Sequence, residues 1–210
     1  MKPSVFLNIV LAAALVAVSV RWATTGSGES APAKADSVVY NNIMTRTSVR
    51  SYLDKPVEDS KIDSLLHAAM AAPTAMNTQP WHFVVIKDRA TLNKIAEATP
   101  NARMAAEAPL AIVVCGNMDN EHADVVRMFW TQDLSAATEN LLLQAHAMGL
   151  GAVWTGTYPD PQRCDAVSNL LSLSDNLIPL CTVVIGYPKG EQTPKDKWNP
   201  DNVTYFEGIK

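Results

Sequence analysis

Two arginines and a serine alternate within one short stretch of the chain, as Arg46, Ser48 and Arg50. In an extended or loop conformation, alternating side chains point the same way. Two guanidinium groups and a hydroxyl on one side suit a phosphate, because arginine presents forked donors that match the phosphate oxygens. The same spacing also fits a solvated basic turn that pairs with nearby acids such as Asp54. The stretch therefore predicts either a phosphate site or a basic surface turn.

A second polar stretch, residues 71–86 with the sequence AAPTAMNTQPWHFVVI, joins an apolar helical pattern to a strand. Pro73 and Pro80 restrict the backbone at two points. Asn77 and Gln79 each carry amide donors and a carbonyl acceptor. Such groups suit the edge of a flat heterocycle, and loops on a rigid scaffold often bind ligands. An ordinary helix–strand connection with polar turn residues is the alternative interpretation.

Apolar periodicity predicts the elements that must hold these stretches in place. The predicted helices cover residues 38–44, 58–72, 88–98, 101–107, 133–148 and 160–171, and the predicted strands cover 82–86, 109–115, 152–156 and 178–187. The strands at 109–115 and 178–187 are continuously apolar, as expected when both faces are covered. Residues 116–126 are predicted to form a loop. The strand at 152–156 ends in Thr155 and Gly156, where glycine allows a ligand to approach the backbone.

The composition narrows the possible functions of the 210-residue chain. A formal net charge of −4, with no basic stripe, argues against nucleic-acid binding. Cys115, Cys164 and Cys181 are an odd count without a CxxC pair, which predicts neither a disulfide framework nor a zinc site. The acids and histidine of residues 119–124 match no metal-ligand spacing of known geometry, so no metal site is expected.

The C-terminal tail from Lys189 onward is polar and rich in lysine and proline, so it is not expected to form a core element. It also contains Trp198, Tyr205 and Phe206, and aromatic side chains usually find something to bury against. The tail is therefore predicted either to be disordered or to wrap around a partner.

The first 36 residues are predicted to lie outside the folded domain. Lys2 provides a positive charge, residues 5–20 are almost entirely apolar, and residues 24–35 are small and polar, which is the order of a secretory signal peptide. An uncleaved membrane anchor through residues 5–20 is another interpretation, and a cytoplasmic protein with an apolar extension is a third. We expect an exported (periplasmic) or membrane-anchored protein with one folded domain at residues 37–210.

Several stretches occur in an order that resembles the FMN-dependent nitroreductase family. They are RTSVRSY, APTAMNTQPWHF, DLSAATENLLLQAHAMGLGAVWTG, VVIGYP and KDKWNP, and together they span about residues 38–206. The resemblance implies an α+β fold, a three-layer α-β-α sandwich around a mixed, mainly antiparallel sheet. It also implies a homodimer with FMN in two interface sites, and a C-terminal tail that reaches over the other subunit as a domain swap.

The resemblance also implies which residues bind the cofactor. The matches are the phosphate-binding stretch RxSxR (Arg46, Thr47, Ser48, Arg50), the loop along the flavin (Pro73, Thr74, Ala75, Asn77, Gln79), the strand end beside the flavin ring (Thr155, Gly156) and the basic tail (Lys195, Lys197). Thr74 and Ala75 replace the more usual serine pair of the family, so a hydroxyl contact there would rest on Thr74. Arginine is commoner at the position of Lys197, so a forked contact would become a point charge. Asn101 is a looser match near the flavin.

The implied activity is oxidoreduction. A flavin of this kind takes hydride from NADH or NADPH and passes electrons to a small-molecule acceptor such as a nitroaromatic or a quinone, in a ping-pong cycle. The protein supplies orientation and charge, and no catalytic acid or base is predicted. One alternative is a family relative with other flavin chemistry, such as reductive dehalogenation. Another is a non-catalytic flavin-binding or membrane-anchored interaction protein. Export would also leave the electron donor open, because nicotinamide cofactors are cytoplasmic.

Overall fold

The computed structural model describes residues 35–206 and residue 208 of the chain. The predicted signal or anchor segment at residues 1–36, including its apolar run at residues 5–20, lies outside the described part apart from Ala35 and Asp36. Among the residues that are described, no helix combines the length and the apolar character needed to cross a membrane. All contacts discussed below lie within residues 41–206.

The described residues contain five α-helices and four β-strands. The helices are α1 (Ala35–Thr45), α2 (Asp59–Met70), α3 (Arg89–Ala98), α4 (Ala123–Ala147) and α5 (Pro161–Leu171), and the strands are β1 (Trp81–Ile86), β2 (Leu110–Asn117), β3 (Gly151–Gly156) and β4 (Leu177–Gly186). Short 3₁₀ segments cover Ala75–Asn77, Pro100–Ala106 and Pro200–Asn202. The carboxylates of Asp88 and Asp160 accept backbone N–H groups at the starts of α3 and α5, as good N-caps do.

The four strands form one sheet in the order β1-β2-β4-β3, and each neighbouring pair is antiparallel. Parallel pairing among the described residues is limited to an isolated bridge between Ser48 and Ala152. A second bridge joins Tyr52 to Pro188 in antiparallel fashion. The predicted sheet, mixed but mainly antiparallel, is therefore confirmed, and the chain segment after α1 runs along its β3 edge.

Alternation along the strands creates two cores, one on each face of the sheet. In β2, Leu110, Ile112 and Val114 face α2 and α4, whereas Ala111 and Val113 face α3, α5 and the 3₁₀ segment at Pro100–Ala106. This arrangement is the predicted three-layer α-β-α sandwich. It also explains why β2 is apolar at every position of its central run, because neither of its faces is exposed to water.

Helix α4 is ten residues longer at its start than the sequence pattern predicts. It begins at Ala123 rather than near Asp133, and β2 extends to Asn117, so the loop predicted at residues 116–126 shrinks to a short connection. Val126 and Trp130 are buried and continue the apolar stripe of α4 toward its N-terminus. The acidic residues around His122 obscured that stripe, because they lie where the helix is most exposed.

The three cysteines are unpaired within the described structure, and two of them are buried in the sheet. Burial raises the pKa of the Cys115 thiol to about 12 and that of Cys181 to about 12. Burial also raises the pKa of Cys164, which is partly exposed at the start of α5. Cys115 and Cys181 therefore behave as small apolar core residues, as their sequence surroundings predict.

Gly151 is the point of closest approach between β3 and the Arg46–Arg50 segment. A Cβ atom placed there would lie 2.7 Å from the Cβ and both Cγ atoms of Val49, which is itself buried. We expect Gly151→Ala to lower the free energy of unfolding by about 1–3 kcal/mol, because the overpacking has to push β-branched Val49 outward. Chemical denaturation of the variant measures this loss.

Gly156→Ala at the other end of β3 is the matched control for that prediction. A Cβ at Gly156 would meet nothing within 4 Å, so we expect its stability to change by less than about 0.5 kcal/mol. Equal losses in the two variants would show that the loss at Gly151 reflects strand propensity and not the contact with Val49.

Candidate functional site

The segment Arg46–Arg50 is held against the edge of the sheet by backbone bonds. The Val49 N–H donates to the carbonyl of Ala152 at 3.0 Å. The buried Tyr52 hydroxyl lies 2.6 Å from the carbonyl oxygen of Val49 and 3.0 Å from that of Val184. Burial raises the pKa of Tyr52 above its usual value, so the phenol stays protonated and keeps donating. The segment is therefore rigidly attached, and its alternating side chains share one side.

A cavity of about 670 Å³ opens over this segment. Its lining includes Arg46, Thr47, Ser48 and Arg50 from the segment, Glu139 from α4, and Lys195, Lys197 and Trp198 from the tail. The four cations and one carboxylate of this lining sum to a formal charge of +3. We call this cavity, defined by these residues, the basic cavity. Its electrostatics favour an anion of more than one negative charge.

The polar groups of the basic cavity are oriented by local bonds. The Nε of Arg46 lies 3.5 Å from a carboxylate oxygen of Glu139, and Nη1 of Arg50 donates to the carbonyl of Ser48 at 3.3 Å. Each arginine keeps further N–H groups for a ligand, because a guanidinium has five. Lys195 and Lys197 approach from a tail about 150 residues later in the chain, which brings together the two basic stretches that the sequence analysis singled out.

A smaller cavity of about 170 Å³ adjoins the basic cavity and shares Arg46 and Thr47 with it. His146 lines it, with Nε2 lying 2.8 Å from the Thr45 hydroxyl, which itself donates to the Asn41 carbonyl at 2.6 Å. Burial first, and then the neighbouring Arg46 cation, lower the pKa of His146. The lowered pKa favours the neutral imidazole. Because the Thr45 hydroxyl donates to the Asn41 carbonyl, its oxygen is available to accept from Nε2.

The predicted flavin loop, Pro73–Gln79, has an unusual backbone. Met76, Asn77 and Gln79 all have positive φ angles, of 51°, 57° and 47°. None of them is glycine, and residues other than glycine and asparagine rarely adopt this conformation. Such strain persists only where surrounding contacts enforce it, and it is concentrated at functional sites. The loop therefore carries backbone strain that an ordinary helix–strand connection does not require.

Hydrogen bonds fix this loop from several sides. The Thr74 hydroxyl accepts the Gln79 N–H at 3.1 Å, and Oδ1 of Asn77 accepts Nε2 of Gln79 at 3.0 Å. The Ala75 N–H donates to Oδ1 of Asp133 on α4 at 3.0 Å. The sequence reasoning missed Asp133, and its one signal was an acid at the edge of the apolar stripe of a central helix.

The third predicted group consists of Thr155 and Gly156 at the end of β3. Thr155 has a structural role, whereas Gly156 is accessible. The Thr155 hydroxyl is buried and donates to the Thr182 carbonyl at 2.7 Å, so it serves the sheet. Gly156 has open space where a side chain would be. Its carbonyl accepts Nδ2 of Asn101 at 2.8 Å and is 3.4 Å from Nη1 of Arg163. Asn101, the looser match, thus joins the group, and Arg163 was not predicted.

The basic cavity contains only one of the three predicted groups, since none of the Pro73–Gln79 loop, Thr155 and Gly156 lines it. From Ala152, which pairs with Ser48, to Gly156 the strand advances about 13 Å. Asp133, which holds the loop, and Glu139, which lines the cavity, are about 9 Å apart along α4 and about 120° apart around it. The phosphate-type residues and the loop therefore lie on different sides of α4.

No group of three or more His, Cys, Asp or Glu side chains in residues 35–206 is arranged to hold a metal ion. That finding includes the acids and the histidine of residues 119–124. The chemistry available at the described site is hydrogen bonding and positive charge, which suits binding and orientation of an anionic organic molecule.

A family model and a similar protein sequence both relate this chain to one protein family. A model of the "Nitroreductase family" matches residues 43–102 and 97–187. A protein of Methanothermobacter thermautotrophicus, provisionally named NADH dehydrogenase/NAD(P)H nitroreductase, is 41% identical over 165 residues, which cover 79% of this chain and 85% of that protein.

Two solved structures extend the comparison to the fold. One, from Bacteroides thetaiotaomicron and with the same provisional name, is 43% identical with a TM-score of 0.75, covering 80% of this chain and 96% of that one. The other, a nitroreductase of Desulfovibrio desulfuricans in complex with FMN, is 27% identical with a TM-score of 0.69, covering 81% and 98%.

Proposed function

This chain belongs to the nitroreductase family, and from that relationship we propose that it is an FMN-dependent oxidoreductase that draws electrons from NADH or NADPH. The observation that carries the proposal is the basic cavity, in which an arginine–serine–arginine segment meets two lysines from the tail. The FMN-containing relative from Desulfovibrio desulfuricans supports the choice of cofactor.

The residues of the basic cavity fit the phosphate of FMN. A phosphate monoester carries about −1.5 to −2 charges at pH 7, and the cavity lining carries a formal +3. Arg46 and Arg50 would hold the phosphate oxygens through forked N–H groups, with the Ser48 hydroxyl between them. Lys195 and Lys197 would add point charges from the tail side.

The strained loop would bind the ring system. Its backbone N–H groups and the amides of Asn77 and Gln79 would donate to the ring oxygens and nitrogens, and Gly156 would allow the ring to approach the backbone of β3. When bound, FMN supplies two-electron transfer between a reduced nicotinamide and an oxidised acceptor. The chain contributes orientation and positive charge, and none of its described side chains is assigned as a general acid or base.

We further propose a homodimer in which each site uses residues of both copies. The support is the separation of the loop and the basic cavity on different sides of α4, since a second copy would supply the missing half. The tail adds support, because Trp198, Tyr205 and Phe206 are 70%, 82% and 80% exposed. Aromatic side chains left so exposed on one chain are typical of a surface that another chain covers.

The acceptor and the location are also proposals. Nitroaromatic or quinone acceptors fit an open flavin site without dedicated acid–base groups. Residues 1–36 have the composition of an export signal or anchor, and we propose that they direct the domain at residues 37–210 to the membrane or beyond it. A domain anchored on the cytoplasmic side would keep NADH or NADPH as its electron donor, whereas a domain beyond the membrane would draw electrons from a reduced membrane carrier.

The visible absorption spectrum of the purified and dialysed full chain tests the proposed function. We expect flavin bands and release of FMN on denaturation. Addition of NADH or NADPH under nitrogen should then bleach those bands, and a quinone or nitroaromatic should restore them. A colourless protein that takes up no added FMN would contradict the proposal. A protein that binds FMN but is bleached by neither nicotinamide would limit it to flavin binding with another donor.

A further inference from the structure

Asp133 is a buried carboxylate with incomplete hydrogen bonding. It is 5% exposed, and its Oδ1 accepts one bond, from the Ala75 N–H at 3.0 Å. Its Oδ2 is buried and has no hydrogen-bond partner among the described residues. None of the ion pairs within residues 41–206 includes it. Burying a carboxyl group with one oxygen unpartnered costs free energy that packing alone does not offset.

The single bond of Asp133 is placed where the flavin loop is most strained. Ala75 immediately precedes Met76 and Asn77, the first two residues with positive φ. The two side-chain bonds within the loop, accepted by Thr74 and Asn77, are exposed, so water competes for the same donors and acceptors and weakens them. The bond to Asp133 anchors the start of the loop to α4, a helix packed on the sheet. Nδ2 of Asn120 donates to the Thr78 carbonyl at 3.1 Å nearer the other end of the loop. Because the Asp133 bond is the one adjacent to Met76 and Asn77, it constrains their backbone most directly.

We propose that Asp133 is a positioning residue for the flavin loop. Its Oδ1 accepts the Ala75 N–H and thereby stabilises the left-handed backbone at Met76 and Asn77. The amides of the loop are then already oriented for binding before a ligand is present. The proposal rests on the proposed function insofar as the ligand is FMN. Asp133 acts through the loop and does not touch the reacting atoms. The buried hydroxyl of Thr78, in the same loop, also lacks a hydrogen-bond partner within the described part of the chain, so a ligand could bond to it.

Two substitutions separate the hydrogen bond from the rest of the side chain. Asp133→Ala removes the acceptor, whereas Asp133→Asn keeps a carbonyl oxygen that can accept the Ala75 N–H. We expect Asp133→Ala to weaken FMN binding by about 10- to 100-fold, the range for leaving a buried N–H without its acceptor, and Asp133→Asn to keep most of the affinity. FMN titration followed by flavin fluorescence measures both.

Thr138→Val is the matched control for general damage to α4. Thr138 is also fully buried on this helix, but its hydroxyl donates to the Leu134 carbonyl at 2.7 Å and not to the loop. We expect this variant to lose stability and keep its FMN affinity. An Asp133→Ala protein with unchanged FMN affinity, or a Thr138→Val protein that loses FMN equally, would overturn the positioning role.

Amide hydrogen exchange of the loop in the FMN-free protein provides a readout that does not depend on the cofactor. We expect the amides of residues 75–79 to exchange at least about tenfold faster in Asp133→Ala than in the wild-type chain, and at a near wild-type rate in Asp133→Asn. If the wild-type chain binds no FMN, the proposed function fails while this measurement still tests the positioning. Unchanged exchange in Asp133→Ala would overturn it.

Discussion

Replacing Arg46 and Arg50 together by alanine is expected to strip FMN from the protein without unfolding it. Both guanidinium groups line the basic cavity, and each would make a charge-assisted bond worth about 1.5–3 kcal/mol to the phosphate. Losing two such bonds weakens binding by about 10²- to 10⁴-fold, with some departure from additivity because the two groups share one ligand. The released fraction of FMN after dialysis measures the loss.

The stability of the double variant should change little. Among the described residues, exposed Arg50 bonds to the nearby Ser48 carbonyl. Arg46, whose side chain is 17% exposed, pairs with the half-exposed Glu139, an ion pair that contributes little to stability. Arg127→Ala is the matched control, because it removes the same charge from an exposed pair with Asp124 on α4, outside the basic cavity. Unchanged FMN content in the Arg46/Arg50 double variant would rule out the phosphate assignment.

Ending the chain at Gln192 is expected to abolish both the dimer and FMN binding. This truncation removes Lys195 and Lys197 from the basic cavity, and it removes the exposed aromatics Trp198, Tyr205 and Phe206. Burying each aromatic on a second copy would contribute about 1.5–3 kcal/mol, so their loss weakens dimerisation by at least about a thousandfold. Light scattering at micromolar concentration measures the mass of the protein in solution, and the visible absorbance of the same sample measures its flavin content.

A second truncation, ending at Asn202, keeps the lysines and Trp198 but removes Tyr205 and Phe206. We expect a weakened dimer that recovers at high protein concentration and then binds FMN with its phosphate residues intact. A full-length chain that is monomeric yet retains FMN would contradict the shared site, because the loop and the basic cavity of one copy lie on different sides of α4.

Local physical chemistry made most of the fold predictable from the sequence. Strand β2 was evident because both of its faces are buried, and α5 because Asp160 and Pro161 form a strong start signal. The first ten residues of α4 were not, because exposed apolar residues (Met128 and Phe129) lie between buried Val126 and Trp130, and the acids before them resemble a loop. Periodicity identifies a buried stripe only when the exposed positions beside it are polar.

The site was predictable only in part. The types and spacing of Arg46, Ser48 and Arg50 indicate a phosphate site directly. Their proximity to Lys195 and Lys197 arises only when segments about 150 residues apart fold together, and no spacing rule predicts it. The bond between Ala75 and Asp133 joins residues 58 apart, so the acid appeared in the sequence only as part of a helix. The positive φ angles at Met76 and Gln79 were equally hidden, because neither residue type favours that conformation.

The buried thiols of the sheet have a consequence for the compartment in which the protein works. Cys115 and Cys181 have pKa values raised to about 12, so almost none of either is thiolate at neutral pH. Thiolate is the form that attacks disulfides and peroxides, and these two side chains are also closed to solvent. These two thiols therefore neither form a stabilising disulfide nor react readily in an oxidising environment, whereas Cys164 is partly exposed. The core of the sheet takes no part in redox chemistry on either side of a membrane, and that chemistry is left to the cofactor.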